Sequence, residues 1–321
     1  MDKLRTAVVG VGHFGRYHAD KYAKSALSRF VGVVDRDPGT RDTVAGKYGV
    51  AGFADHRELI GKVDAVSVAV PSTLHHDVAR DLMEAGIHVL IEKPIAETVE
   101  QGAALVALAA RKNVTLQVGH LQRFLLERLG AAKLVGKPLY IECVRIHPFK
   151  PRALDVSVVL DLMIHDIDLV LALADSEVES LHAIGAPVVT EEEDIANVRL
   201  GFASGCVANI TASRVSQTTE RRMRIFGRET YVSIDLQNRK LQALRRGEGD
   251  SPVPGMPPIE KTESGYPDGD DLAAEIDSFL GACLGRHKPL VDGKAGLQAL
   301  DVARRIEAAT RAHRERILKY V

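Results

Sequence analysis

The chain has 321 residues, 45% of them hydrophobic and 26% charged, which is length and composition for two packed domains of ordinary soluble type. Forty-two basic side chains against forty-three acidic ones leave a formal charge of -1, so no basic footprint for nucleic acid or an anionic membrane is present. Cys143, Cys206 and Cys283 are too few and too scattered for a disulfide framework or a metal-spacing motif, as expected of a cytoplasmic protein.

The opening MDKLRTAVVG is expected to enter a strand at once, with no signal peptide. No apolar run approaches the ~20 residues needed to span a bilayer. Apolar runs of strand length occur at Arg5–Gly10, Phe30–Asp35, Asp64–Val70, His88–Glu92 and Val114–Gly119. Helix-length segments such as TLHHDVARDLMEAG and TVEQGAALVALAARK separate them, with Gly86 and Asn113 where helix stops belong. Alternation of this kind predicts a doubly wound parallel sheet in an α/β domain over residues 1–120.

After Gly119 the pattern changes. A helix over LQRFLLERLGAAKLVG leads to the extended run PLYIECVRIHPF and the apolar segment SVVLDLMIHDIDLVLALA. The strand-like stretches VESLHAIG, IANVRLGFA, CVANITAS, RRMRIFG and TYVSIDL predict an α+β domain over 121–321 with an open, mostly antiparallel sheet. Gly247 to Asp270 is expected to be a long loop, followed by helices near Asp271–Leu284 and Ala295–Arg316. Alternating apolar residues in ANVRLGFA and VANITAS are expected to leave one sheet face seeking a partner, which predicts a homo-oligomer, dimer or tetramer.

Gly10, Gly12 and Gly15 form G-x-G-x-x-G, with His13 and Phe14 inside it, directly after the first strand. Gly10 suits the tight turn, Gly12 the approach of a pyrophosphate and Gly15 close helix–strand packing, and a helix N-terminus favours the anion. Asp35 ends the second strand 20 residues past Gly15, where a carboxylate accepts hydrogen bonds from the adenosine ribose. It favours NAD over NADP, while Arg36 beside it suits adenine stacking or a 2′-phosphate.

HVLIEKPIAE, His88 to Glu97, puts Glu92, Lys93 and Pro94 at the carboxyl end of a buried strand, where open α/β sheets bind ligands. The Lys93–Pro94 bond is expected to be cis, turning the ammonium toward His165. In LDLMIHDIDL, Asp161 and His165 share a helix face near Asp168. Three readings stand for that pair: a buried structural contact, metal ligands that lack further partners of clear spacing, or catalytic groups. Arg145, His147, Lys150 and Arg152, with Arg221, Arg222 and Arg224, suit a diphosphate or a solvated charged face.

The glycine fingerprint, EKP and Asp-x-x-x-His together resemble the glucose–fructose oxidoreductase / inositol dehydrogenase (Gfo/Idh/MocA) family over nearly the whole chain. The resemblance implies a Rossmann NAD domain and a substrate and oligomerisation domain, with Lys93, Asp161 and His165 catalytic. It places PSTLH, with Pro71, Ser72 and His75, and GHLQRF, with His120 and Arg123, at the nicotinamide end of the cofactor beside Glu92 and Lys93. Lys93, Arg123, Arg145, His147, Arg152, Asp161 and His165 are then the substrate-binding set, with no metal. The bulky stretch PRALDVSVVLDLMIHDID replaces the glycine-rich segment of sugar-oxidising members and is similar to the nucleotide-sugar branch. That similarity implies oxidation at C3 of UDP-N-acetylglucosamine for lipid A and lipopolysaccharide precursor synthesis. An inositol or free-sugar dehydrogenase, and a non-catalytic NAD-binding sensor, are the alternatives.

Overall fold

A computed structural model describes residues 3–150, 156–249, 253–254, 256–266, 269–317 and 319. The chain forms two compact units, Met1–Phe124 with Asp270–Leu300, and Leu125–Gly269 with Asp301–Val321. A single cut after residue 120 therefore omits a later segment that belongs to the first unit.

The first unit alternates β1 (Leu4–Val9), α1 (Gly15–Lys24), β2 (Ser28–Val34), α2 (Pro38–Tyr48), β3 (Ala51–Phe53), β4 (Ala65–Val68), α3 (His75–Glu84), β5 (His88–Glu92), α4 (Val99–Lys112) and β6 (Leu116–Gly119). Local chemistry sets these boundaries. Asp37 caps α2 by accepting from the Thr40 N–H, with Pro38 in its first turn. Thr98 and Gln101 cap α4 reciprocally, and Asn113 ends it in the left-handed conformation. The six strands run in the order β3-β2-β1-β4-β5-β6, all parallel. The order reverses between β1 and β4, which makes their carboxyl ends the ligand crevice of a doubly wound sheet. Sequence patterning missed β3, an edge strand of three residues with glycine at its centre. Its side chains are partly or fully exposed, so it carries no apolar run.

The chain returns to this unit as α8 (Asp271–Cys283). Leu272, Ile276, Phe279 and Leu280 of α8 join Val8, Tyr22, Val33 and Leu90 in one buried cluster.

The predicted helix after Gly119 is two helices, α5 (Gln122–Leu129) and α6 (Ala131–Val135), because Gly130 sits at φ +65° and breaks it. The second unit continues with β7 (Tyr140–Ile146), α7 (Ile164–Ala174), β8 (Val178–Ala186), β9 (Ile195–Phe202), β10 (Val207–Ser213), β11 (Glu220–Phe226), β12 (Thr230–Asp235), β13 (Lys240–Arg246) and β14 (Ile259–Gly265). α9 (Gly293–Ile317) closes the chain. The eight strands order as β14-β13-β12-β11-β7-β10-β9-β8, antiparallel except for the β10–β7 pair.

Two expectations for this sheet are corrected. The segment from Gly247 to Asp270 is not all loop, since β14 pairs with β13 from Lys240↔Gly265 to Arg246↔Ile259. Every β14 residue is exposed, so no buried apolar side chain anchors the strand, and its charges blunt an open edge. The apolar alternates of β9 and β10 are also not an unpartnered face. Ala196, Val198, Leu200, Ala208 and Ile210 are fully buried, on the face where α7 packs on β7 and β10.

Candidate functional site

In the first unit the glycine turn is built as its sequence demands. Gly10 has φ +83°, and a Cβ there would lie 2.8 Å from the Ala69 carbonyl carbon. A Cβ on Gly15 would lie 1.8 Å from the Gly10 carbonyl oxygen, whereas one on Gly12 would meet nothing within 4 Å. Gly15 is thus required by the protein's own packing, and Gly12 opens onto free space of the kind a pyrophosphate fills. No side chain caps the N-terminus of α1, and no acid lies in its first turn, so its amides suit an anion. His13 and Phe14 are exposed on the turn, Phe14 edge-on to Tyr17 at 6.2 Å.

Asp35 is tied into this loop. Its Oδ2 accepts from the Val11 N–H at 2.9 Å and its Oδ1 from the Asp37 N–H at 3.0 Å. A carboxylate oxygen accepts more than one bond, so capacity for ribose hydroxyls is left. Arg36 is exposed beside it. The residues fit a dinucleotide.

At the next two strand ends, Pro71 is exposed and Ser72 starts a 3-10 turn to Leu74. His75 is 1% exposed, its Nδ1 2.7 Å from the Pro94 carbonyl oxygen and its Nε2 2.9 Å from that of Val70. Burial pushes its pKa down against the pull of the two carbonyls. Both ring nitrogens are engaged inside the protein, so His75 ties the EKP turn to the end of β4 instead of offering a nitrogen to a cofactor. The Lys93–Pro94 bond is cis, as expected. Lys93 is half-buried, as is Arg123 on α5, while His120 is buried after β6. The Arg123 N–H donates to the His120 carbonyl at 3.0 Å.

Glu92 also turns inward, its Oε1 2.8 Å from His18 Nε2. His18 Nδ1 lies 3.0 Å from Ser67 Oγ, and Ser67 Oγ lies 2.9 Å from the Tyr22 hydroxyl. Glu275 of α8 brings a fully buried carboxyl to the same place, one ligand atom from each of His18, Glu92 and Glu275 lying within 4.8 Å of the others. Sequence reasoning missed His18 and Glu275. His18 follows Gly15 by three residues on α1, and no spacing rule pairs it with a glutamate near the far end of the chain.

In the second unit, Asp161 lies in a π-helical turn, Val159–Met163, that runs directly into α7. Such turns concentrate at functional sites. Asp161 and His165 are half-buried, whereas Asp166 and Asp168 are buried. The greasy segment therefore turns two polar groups toward its accessible side and two inward.

Arg145 corrects an expectation. It is 3% exposed and forks onto Asp166, Nε to Oδ2 at 2.7 Å and Nη2 to Oδ1 at 2.8 Å. A guanidinium so engaged is a structural ion pair and no free phosphate fork. His147 Nδ1 lies 2.7 Å from the Pro148 carbonyl oxygen, and its buried Nε2 has no hydrogen-bond partner among the described residues. Lys150 is exposed, and Arg152 lies outside the described residues. On β11, Arg222 pairs with Glu220 at 2.7 Å and Arg224 with Glu142. Arg221 alternates to the opposite face, so these arginines make no single cationic patch.

Residues 4–120 match the family described as "Oxidoreductase family, NAD-binding Rossmann fold", and residues 125–233 match the GFO/IDH/MocA C-terminal domain. The chain belongs to the Gfo/Idh/MocA oxidoreductase family. Its first domain is the NAD-binding one, and it is an enzyme of the dehydrogenase class. The UDP-N-acetylglucosamine 3-dehydrogenase of Acidithiobacillus ferrooxidans is 40% identical, over 98% of this chain and 100% of that one. A solved structure of that enzyme superimposes with a TM-score of 0.90, covering 98% and 99% of the two chains at 39% identity. Inositol 2-dehydrogenase of Rhizobium meliloti is 27% identical over 98% of both chains. The scyllo-inositol dehydrogenase of Lactobacillus casei, solved with NAD(H) and scyllo-inositol, shares the fold at 20% identity and a TM-score of 0.81. Among the described residues no helix is long and apolar enough to cross a membrane.

Proposed function

We propose that this protein oxidises the 3-hydroxyl of UDP-N-acetylglucosamine with NAD⁺, giving the 3-keto sugar for lipid A precursor synthesis in the cytoplasm. The end-to-end similarity to the Acidithiobacillus enzyme carries the reading, because fold alone would fit an inositol dehydrogenase equally well. The glycine turn and Asp35 hold the pyrophosphate and adenosine ribose, and the Asp35 carboxylate disfavours a 2′-phosphate.

When bound, NAD⁺ supplies the hydride acceptor. His165 takes the hydroxyl proton, since imidazole titrates near neutrality. Asp161, four residues earlier, orients that ring. The Lys93 ammonium hydrogen-bonds the oxygen as negative charge develops on it. With Arg145 committed to Asp166, His147 and the exposed Lys150 are left among the described residues before α7 for the substrate diphosphate, and Arg123 for the rest of the substrate.

The proposal includes a homo-oligomer, dimer or tetramer. On the sheet face opposite the buried Ile141, Cys143 and Met223, Tyr140 and Phe226 pack at 5.5 Å and Phe226 and Tyr231 at 4.9 Å, with Leu244 next to them in register. Sedimentation as a monomer at micromolar concentration would refute assembly through this row. For the reaction, NADH formation is followed with a panel of UDP-sugars and free polyols, with a 2-oxo acid present to recycle tightly held NADH. Turnover is expected with UDP-N-acetylglucosamine. Turnover with inositol alone would replace the substrate, and NAD binding without turnover would make the protein a sensor.

A further inference from the structure

Glu275 has no place in the chemistry above, yet it is fully buried. Neither of its carboxyl oxygens has a hydrogen-bond partner among the described residues. A carboxylate in that position would be among the least tolerable groups in the protein. The charged and titratable groups around it come from three elements. They are Glu92 at the end of β5, His18 and Tyr22 on α1, and Asp271 on its own helix. None of these is a fixed cation. Glu92 has 15% of its side chain exposed and already holds His18 at 2.8 Å, so the negative charge of the pair belongs on Glu92. Glu92 is also hemmed in by backbone, since a Cβ on Gly119 would lie 2.9 Å from its Oε1.

We propose that Glu275 is kept as a neutral carboxylic acid whose O–H serves Glu92, so that it is a positioning residue for Lys93 acting through the Glu92 side chain. The inference rests on the reading in which Lys93 touches the substrate oxygen. His18 holds the Glu92 carboxylate at 2.8 Å, a Glu275 carboxyl oxygen lies within 4.8 Å of both, near enough for its O–H to turn toward Glu92, and Lys93 is the next residue in the chain. Burial, followed by the neighbouring Glu92 and Asp271, pushes the Glu275 carboxyl well above its ordinary range. A raised folded-state pKa gives stability that is complete below the ordinary carboxyl range and is lost as pH rises toward the folded value.

Two variants separate an acid from a carboxylate. Glu275→Gln keeps shape and neutrality, so kcat and KM should stay within about twofold of wild type, in line with an isosteric exchange. Glu275→Ala removes the donor and should lower kcat about tenfold or more while leaving the KM for NAD⁺ unchanged. Thermal unfolding across pH gives a readout independent of turnover. The Tm of the wild type should carry a decline above the ordinary carboxyl range that Glu275→Gln lacks, making that variant the more stable at alkaline pH. If Glu275→Ala does not fold, the Glu275→Gln kinetics and Tm profile still decide the matter. A Glu275→Gln enzyme impaired in kcat with an unaltered Tm–pH slope would overturn the proposal. So would a stoichiometric divalent metal in the purified enzyme that Glu275→Gln loses. Near-normal turnover of Lys93→Met would overturn the functional reading while leaving the Tm result to judge the state of Glu275.

Discussion

The two sheets handle charge in opposite ways. In the second unit, two buried arginines are matched to carboxylates: Arg145 forks onto Asp166, and Arg214 reaches Asp194 at 2.9 Å. In the first unit, the buried cluster of His18, Glu92 and Glu275 has two carboxyls and no fixed cation. Paired charges are mutually satisfied and fix geometry, whereas an unbalanced cluster holds groups whose protonation state is the point at issue. Charge buried behind a strand-end turn is accordingly read as functional support, and charge buried under a sheet as architecture.

The sharpest way to break that contrast is to cut one pair. Arg145→Met should destabilise the fold by about 3–5 kcal/mol, because it strands a buried Asp166 carboxylate. The expected reading is a large drop in Tm, with KM for the nucleotide sugar unchanged in the protein that remains folded. A weakened KM with a normal Tm would return Arg145 to the substrate. Lys93→Met should do the reverse, lowering kcat by roughly 10²–10³ while Tm and NAD⁺ affinity hold. Equal turnover in single-turnover measurements would make Lys93 structural and move the chemistry to His165 and Asp161.

Two smaller effects refine the comparison. Burial pushes the Asp194 carboxyl up, but the N–H groups of Thr190, Val189 and Val188 outweigh it and leave its pKa below the ordinary range. A depressed folded pKa gives stability that is present above the ordinary Asp value and lost as pH falls below it. The wild type should therefore lose about 1.4 kcal/mol per pH unit from this group under acid. Asp194→Asn should unfold with a shallower acid limb, and an unchanged limb in urea titrations at several pH values would refute this. Asp35→Ala should weaken NAD⁺ by roughly tenfold, the loss of charge-assisted bonds to ribose, and erode its advantage over NADP⁺. Calorimetry showing tighter NADP⁺ binding to the wild type would reverse the cofactor preference.

What the sequence disclosed divides along the same line. Gly10, Gly15 and Pro94 were legible because backbone constraints are local: a positive φ, a missing Cβ or an X-Pro bond is specified by the residue itself. The Asp35 register followed from them. Arg145 was misread because its partner Asp166 lies across an intervening segment, and charge pattern alone does not separate a fork onto carboxylate from a fork onto phosphate. β14 was missed because a strand with every residue exposed leaves no apolar period. The π turn at Asp161 has no compositional mark at all. Glu275 reads locally as one polar residue of an amphipathic helix, and only the return of the chain to the first unit places it beside Glu92.

That return also sets an order of events during synthesis. The first unit needs Leu272, Ile276, Phe279 and Leu280 to close its core around Val8 and Tyr22, and these leave the ribosome only after the chain up to Gly269 has been made. Domains generally complete N-terminal first as they emerge, but here the second unit's main segment is translated before the first is whole. The apolar face of α1 and the buried strands beneath it must wait, exposed to chaperones and to one another, until α8 arrives. A chain ending near residue 260 should remain protease-sensitive in its first half, and one released after Leu300, which completes the first unit, should gain resistance there in one step.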